Sequence, residues 1–258
     1  MENPALLNPL TRFAGLADRY AKYRPSYPAA AIDFILIHCG LGPQSVVVDV
    51  GCGTGISSRL LAERGVAVIG IEPNTEMRRK AESEPAPPGA PGPSYREGRA
   101  EATNLPANIA DAVLAAQAFH WFEPEAALRE FRRILKPGGW AVLLANERDE
   151  SDPFTAAYSR VIRTAPDAAA IEGPRARSGS ALLTSPLFQH GQRLLFHSEQ
   201  CLDEDGLLGR AFSASYAPRE REQAERFAAD LRGVFVRFEN AGKVTLKYQT
   251  AVIVAARR

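Results

Sequence analysis

Long apolar runs are missing from this chain. No uninterrupted stretch approaches the ~20 residues that a membrane-spanning helix needs, so no membrane partner is expected. The N-terminus has no basic segment followed by an apolar one, and no signal peptide is evident. Cysteine is scarce: Cys39, Cys52 and Cys201 are far apart, odd in number, and form no CxxC pair. Neither a zinc site nor a disulfide framework is supported, no metal is expected, and a reduced, cytoplasmic setting is the default. An excess of charge is missing too. Lys and Arg number 31 against 30 Asp and Glu, a net charge of +1, so nothing draws the chain to nucleic acid or an anionic surface. Short clusters such as Arg78-Arg79-Lys80 and 219–222 have acids beside them and read as solvated helix faces. What remains is 258 residues of ordinary globular composition, enough for one large α/β domain or one domain with a cap.

The chain is organised around Val46-Val47-Val48-Asp49-Val50-Gly51-Cys52-Gly53-Thr54-Gly55. The valines favour a buried, pleated strand, and the glycines that follow mark a tight turn. Glycine takes positive φ at little cost and has no Cβ, so a ligand can lie against the main chain. Residues 56–64 have helical apolar spacing. Strand, glycine turn and helix follow in order, and the helix start offers unpaired N–H groups beside the turn.

Elsewhere the periodicity predicts helices over 29–38, 75–81 and 123–135, and strands over 66–71, 94–98, 110–116 and 140–145. Asn74 is the expected cap of the second helix. The Pro/Gly-rich segment 84–94 is an exposed connector, and Lys136-Pro137-Gly138-Gly139 is a stop and turn. Strands that alternate with helices imply βαβ units and a parallel sheet. After residue 150 the rhythm changes: 152–164 looks helical, 165–185 mixed, 194–199 a strand, 203–238 helical with a break near Pro218, and 244–255 a final strand. The two late strands would close the sheet edge as an antiparallel pair. The N-terminal arm, with Tyr20, Tyr23, Arg24 and Tyr27 close together before Pro28, suits either a packed arm or one that also lines a site.

The glycine spacing narrows the ligand. A dinucleotide fingerprint is GxGxxG, whereas the third glycine here is Gly55 and position 56 is Ile. No lysine follows the glycines, so a triphosphate loop is also disfavoured. Asp49 ahead of the turn would repel phosphate and suit an amino group or a hydroxyl. Glu72 follows Gly51 by 21 residues at the end of the next strand, where a carboxylate can accept ribose hydroxyls. Together the two acids fit a nucleoside that carries an amine. As a single acid at a helix start, Glu72 has a purely structural reading as well.

These residues resemble a known family. Asp49 to Gly55, Glu72, Ala100-Glu101 with Leu105-Pro106, Phe119-His120-Trp121-Phe122 and Leu135 to Gly139 look like the class I S-adenosylmethionine-dependent methyltransferases, in the type 11, small-molecule branch. The lead-in Tyr20…Arg24-Pro25-Ser26-Tyr27-Pro28 is similar to that of trans-aconitate methyltransferase-like proteins. The resemblance covers roughly residues 10–148. It implies an α/β fold: a doubly wound, Rossmann-like, seven-stranded and mostly parallel sheet with an antiparallel C-terminal strand, plus a helical lid. It implies one domain over 1–258, divided into an arm or lid (1–30), a cofactor-binding core (31–148), a variable cap (149–190) and a sheet-closing part (191–258). The implied cofactor is S-adenosylmethionine. Asp49, Gly51, Cys52, Gly53 and Gly55 would hold its methionine end, Glu72 its ribose, Met77 one adenine face, and Ala100, Glu101 and Ala102 the adenine edge. Gln117 to His120 would lie under the sulfonium, with Gln117 and Ala118 as cofactor contacts and Tyr20 and Arg24 as further ones. At Arg99 the chain departs from relatives that carry Asp, so Glu101 or a carbonyl would meet the adenine amine.

The implied reaction is in-line methyl transfer to a small-molecule acceptor, for which Tyr27, His120 and Trp121 are candidate contacts. His120 is the candidate base, because the imidazole side chain ordinarily changes charge near neutral pH, or else only a lining residue. A carboxylate acceptor would need no base but a cation, with Arg19, Arg24 or Arg175 in reach of that role. No (Asn/Asp/Ser)-Pro-Pro-(Tyr/Phe/Trp) segment and no Pro-Cys pair exist, so methylation of nucleic-acid bases is disfavoured. The alternatives are a noncatalytic S-adenosylmethionine-binding regulatory module and a nicotinamide-dependent oxidoreductase. Oligomeric state has no signal in the sequence.

Overall fold

The computed structural model describes residues 15–86 and 88–258. Phe13 and Ala14, at the head of the expected arm, lie outside the described residues. In chain order the elements are α1 (Ala17–Tyr23), α2 (Ala29–His38), β1 (Val46–Val50), α3 (Ile56–Ala62), β2 (Ala67–Ile71), α4 (Thr75–Ser83), β3 (Ser94–Arg96) and β4 (Ala110–Ala116). A short 3-10 turn (Phe119–Trp121) leads to α5 (Pro124–Ile134) and β5 (Leu135–Arg148). There follow α6 (Pro153–Ile162), α7 (Ala168–Thr184), β6 (Phe188–Leu202), α8 (Glu204–Phe212), α9 (Arg221–Phe238) and β7 (Val244–Arg257).

The seven strands form one sheet in the order β3-β2-β1-β4-β5-β7-β6. The first five are parallel, and β7 runs antiparallel to both β5 and β6. This is the Rossmann-like arrangement that the family resemblance implies. The chain order reverses between β1 and β4, and an open α/β sheet of this kind leaves a crevice there, beyond the carboxyl ends of its strands.

Alternation along the strands sends apolar side chains to both faces. Val48, Val50, Val113 and Ala115 pack with Ala127, Leu128, Phe131 and Ile134 of α5 and with Leu182 of α7. Val47 and Leu114 pack with Ala31, Ile32 and Ile35 of α2 and with Leu61 of α3 on the other. Helix α5 starts where Glu123 caps the Ala126 amide and Pro124 occupies the first turn. Asn74 caps α4 by accepting from the Glu76 and Met77 amides, as its sequence position predicts.

A second apolar cluster lies outside the sheet core. Helices α6, α7, α8 and α9 bring Phe154, Tyr158, Ile171, Leu207 and Leu231 against Leu246 and Tyr248 of β7. Helix α1 bridges the two parts, packing on α4 and on α8. Among the described residues no helix is long and apolar enough to cross a membrane.

Three elements differ from the sequence pattern. Segment 165–185 is largely one helix, α7, despite Gly173 and Pro174, because Ile171 is buried in the cap cluster and Leu182 in the sheet core. Strand β5 begins at Leu135, which pairs with Ala110 before Lys136 to Gly139 bulge out. Strand β6 is 15 residues long, far beyond its apolar centre, because it pairs along β7 at an exposed edge where polar side chains are tolerated.

Phe131 is fully buried and meets the rings of Phe119 and Phe122 edge-on, at centroid separations of 6.3 and 6.4 Å. Phe131→Ala is expected to lower unfolding stability by about 3–5 kcal/mol in urea titration. A loss below ~1 kcal/mol would mean that the core under the 119–122 turn is not packed as described.

Candidate active site

The site is assembled at the β1/β4 crevice by three strand ends. Gly51 has φ +69°, and a Cβ there would lie 2.7 Å from the Ala118 Cβ and 3.0 Å from the Phe122 ring. The turn after β1 therefore touches the turn after β4 with no side chain between them. At Gly53, φ +56°, an added Cβ would meet only the Met77 methyl at 3.8 Å, so this glycine faces open space. Gly55 turns away from that space: a Cβ there would collide with the Tyr95 hydroxyl.

The Glu72 carboxylate fastens the turn. One oxygen accepts from the Gly53 amide at 2.9 Å and the other from the Asn74 amide at 2.9 Å. Burial raises its pKa, while the two amides and Arg78 oppose the shift. Asp49 lies wholly buried beneath the turn, and one of its oxygens accepts from Ser57 Oγ at 2.7 Å and Ser58 Oγ at 2.6 Å. Its other oxygen, Oδ1, has no partner. Burial pushes the Asp49 carboxyl up to about 6, against the two serine hydroxyls. Burial likewise pushes the Cys52 thiol well above its usual range, so this cysteine is an unreactive part of the wall.

A narrow cleft with about 80 Å³ of free volume opens at the turn. Of the sequence-predicted residues, Tyr20, Tyr27, Gly51, Cys52, Gly53, Glu72, Met77, Gln117, Ala118 and Trp121 line it. Others do not. Arg24 turns away, bonding the Ser213 carbonyl at 3.0 Å with its guanidinium 4.6 Å from the centre of the Tyr20 ring, and so ties the arm to the end of α8. Ala100 is buried in the sheet core, and Glu101 accepts from the Glu123 amide at 2.9 Å, where it steadies the start of α5. Ala102 bridges back to Arg99. His120 is on the wall of a different cavity. Of the candidate cations, Arg19 lines a groove with Tyr23 and Phe212, and the Arg175 side chain lies outside the described residues.

That second cavity, about 450 Å³, lies between the ends of β4, β5 and β7 and helices α7 and α8. Gln117 and Ala118 line both spaces. Gln117 has φ +54°, a conformation that costs a non-glycine residue roughly 1–2 kcal/mol, and such strain gathers at working sites. The 117 amide holds the Leu144 carbonyl at 2.8 Å, and the side-chain amide holds the Asn146 carbonyl at 3.2 Å. The far wall is highly polar. Arg148 pairs with Glu172 at 2.5 Å, Arg193 with Glu147 at 2.8 Å, and Arg163 with Glu150. These residues follow residue 146, beyond the recognisable motifs. Only the number of arginines after that point signalled them.

Comparison with known proteins agrees with this layout. A family described as a methyltransferase domain matches residues 48–143. A methyltransferase-like protein of Schizosaccharomyces pombe is 30% identical over 242 residues, covering 90% of each chain. A methyltransferase of Mycobacterium tuberculosis is 39% identical over 140 residues, covering 54% of this chain, and this chain spans only 53% of that relative's length. A solved candidate methyltransferase from an antibiotic biosynthesis pathway of Anabaena variabilis superposes with a TM-score of 0.66 at 21% identity, over 90% of this chain and 98% of its own. The chain belongs to the methyltransferase family.

That family implies S-adenosylmethionine as methyl donor, and the residues present fit it. The described lining of the cleft contains no lysine or arginine. Its acids are Glu72 in the wall and the half-partnered Asp49 below, so the cleft favours a cationic nucleoside over a pyrophosphate. The glycine roles differ in a measurable way. Gly51→Ala is expected to cost ~2–4 kcal/mol of stability from collision plus left-handed strain. Gly53→Ala should cost about 1–2 kcal/mol from strain alone. Equal losses in urea unfolding would contradict the close approach at Gly51.

Proposed function

We propose that this chain transfers the methyl group of S-adenosylmethionine to a small-molecule acceptor. The observation that carries the reading is the shared wall: Gln117 and Ala118 line both the cleft and the second cavity. A donor in one and an acceptor in the other would meet at the end of β4. A module that only sensed the nucleoside would need no second chamber, so this favours an enzyme.

When bound, the donor supplies an electrophilic methyl on a positive sulfur, which the acceptor's lone pair takes as the carbon–sulfur bond breaks. Glu72 would receive the ribose hydroxyls on the lone pairs left after the Gly53 and Asn74 amides. Asp49 Oδ1 would face the methionine ammonium, and Met77 would cover the adenine. The chain's largest contribution is positional: Gln117 and Ala118 hold acceptor and methyl in line, while Tyr20, Tyr27 and Trp121 keep water out. If the acceptor is a hydroxyl or amine, the proton it releases passes to His120. If it is a carboxylate, no base takes part. The arm (1–30) and cap (149–190) would act as the lid over the core (31–148), with 191–258 closing the sheet. A cytoplasmic setting fits the three free cysteines.

Incubation with methyl-labelled S-adenosylmethionine and a metabolite extract should yield a labelled small product and S-adenosylhomocysteine. Tight binding with no transferred label would point to a sensor instead. Glu72→Ala should weaken S-adenosylhomocysteine binding roughly ten- to a hundredfold, and unchanged affinity would remove Glu72 from the ribose site.

The Asp49 assignment has a pH signature. The folded carboxyl titrates at about 6, above its ordinary 3.8. Its neutral form therefore favours folding below about 3.8, and that contribution is lost as pH rises through 6. A ligand ammonium needs the ionised form, so S-adenosylhomocysteine affinity should rise by up to tenfold per unit as pH climbs toward 6, then level off. Asp49→Asn should bind more weakly and flatten the profile. A profile unchanged in the variant would contradict the assignment.

A further inference from the structure

The second cavity has a buried positive charge with no acidic partner among the described residues. Four arginines line it among the described residues: Arg148, Arg163, Arg193 and Arg210. The first three pair with Glu172, Glu150 and Glu147. Arg210, on α8, is 5% exposed and has no Asp or Glu within ion-pair distance among the described residues. Its Nε is buried without a hydrogen-bond partner. The Tyr158 hydroxyl is also buried and unpartnered, and the Tyr248 hydroxyl lies against the Arg210 guanidinium. Both residues share the cap cluster with Tyr216, and all three rings surround the Arg210 guanidinium. Tyr216 itself donates to Glu172 at 3.3 Å.

A buried guanidinium with an orphaned Nε and no carboxylate partner, beside the orphaned Tyr158 hydroxyl, forms an unusual arrangement. Native proteins pair nearly all such groups, and leaving a charge buried and unpaired is costly. The guanidinium can only donate and no carboxylate meets it among the described residues, so its missing partner is an acceptor. The cluster lacks one negative charge. A dianionic phosphate would overshoot that charge and face three glutamates, whereas one carboxylate matches it. Guanidinium and hydroxyl donors suit the two oxygens of a carboxylate. Toward the cleft the walls become apolar, with Phe119, Leu143, Leu183 and Ile253.

We propose that the acceptor is a monocarboxylate whose carboxylate is held by Arg210 and Tyr248, with Tyr158 behind them, and whose apolar body extends toward Gln117 and His120. This rests on the reading of the second cavity as the acceptor site and adds the acceptor's chemical class. Of the arginines that the sequence offered for this task, Arg19 lines a separate groove and Arg24 bonds the Ser213 carbonyl. Arg210 was hidden because its tyrosine neighbours come from positions 158, 216 and 248, brought together only by the cap.

The test uses acetate, benzoate and phenylacetate, each beside its neutral amide, titrated into the protein with and without saturating S-adenosylhomocysteine. Benzoate or phenylacetate should bind the wild type roughly tenfold or more tightly than the matching amide. Arg210→Met should lose that preference, Arg210→Lys should keep part of it, and Tyr248→Phe should reduce it. Because the guanidinium is held for a ligand, ligand-free Arg210→Met should melt at or above the wild-type temperature. Equal binding of acids and amides, an undiminished preference in Arg210→Met, or a clear fall in its melting temperature would overturn the proposal. The last result would make Arg210 a structural part of the cap. Failure of S-adenosylhomocysteine to bind would instead strike the donor assignment. The series without nucleoside reads the carboxylate preference separately.

Discussion

The Glu72 carboxylate bridges two backbone amides, Gly53 on the turn after β1 and Asn74 at the start of α4. This bridge decides where the crevice lies. It holds the β1 turn against the end of β2, and the absence of a side chain at Gly51 lets the β4 turn close from the other side. The parallel registers of β1 with β2 and β4 bring these three strand ends level. Because both carboxylate oxygens are committed to the backbone, the fold itself holds Glu72 in the wall of the cleft. The proposed ribose role would use the same carboxylate that fixes the turn.

The chain separates rigidity from cost. The sheet core packs apolar residues on both faces. The expensive groups lie at the edges of the two cavities. These are the half-partnered Asp49 under the turn, the strained Gln117 between the cavities, and the unpaired Arg210 under the cap. Such groups persist only where the surrounding packing holds them, and they concentrate where ligands bind. The cap, built on Tyr158, Leu207, Leu231 and Tyr248, allows the second cavity to combine polar and apolar walls.

The first 148 residues were largely legible because their signals are local. Four valines before a glycine turn, an amide cap at Asn74, and the 3.6-residue spacing of Ala127, Leu128, Phe131 and Ile134 each act within a few residues. The same holds for Gly53, Glu72 and Met77, whose places follow from a strand end and the next helix start. Legibility fell where a side chain has two uses. Arg24 and Glu101 are polar residues beside the turn motifs, yet they tie the arm and the start of α5 rather than reach the cleft. It failed for the second cavity, whose walls join residues 115 to 253 through long-range pairing and helix packing. Helix α7 was obscured for the same reason: tertiary burial at both ends outweighs Gly173 and Pro174 in its middle.

Calorimetric titration of the purified protein with S-adenosylmethionine, S-adenosylhomocysteine and NAD tests the central assignment most directly. Both sulfur nucleosides should bind once per chain at the acidic, lysine-free cleft, and NAD should produce no binding heat. Binding of NAD with neither sulfur nucleoside bound would contradict the methyl-donor site and every role assigned around it.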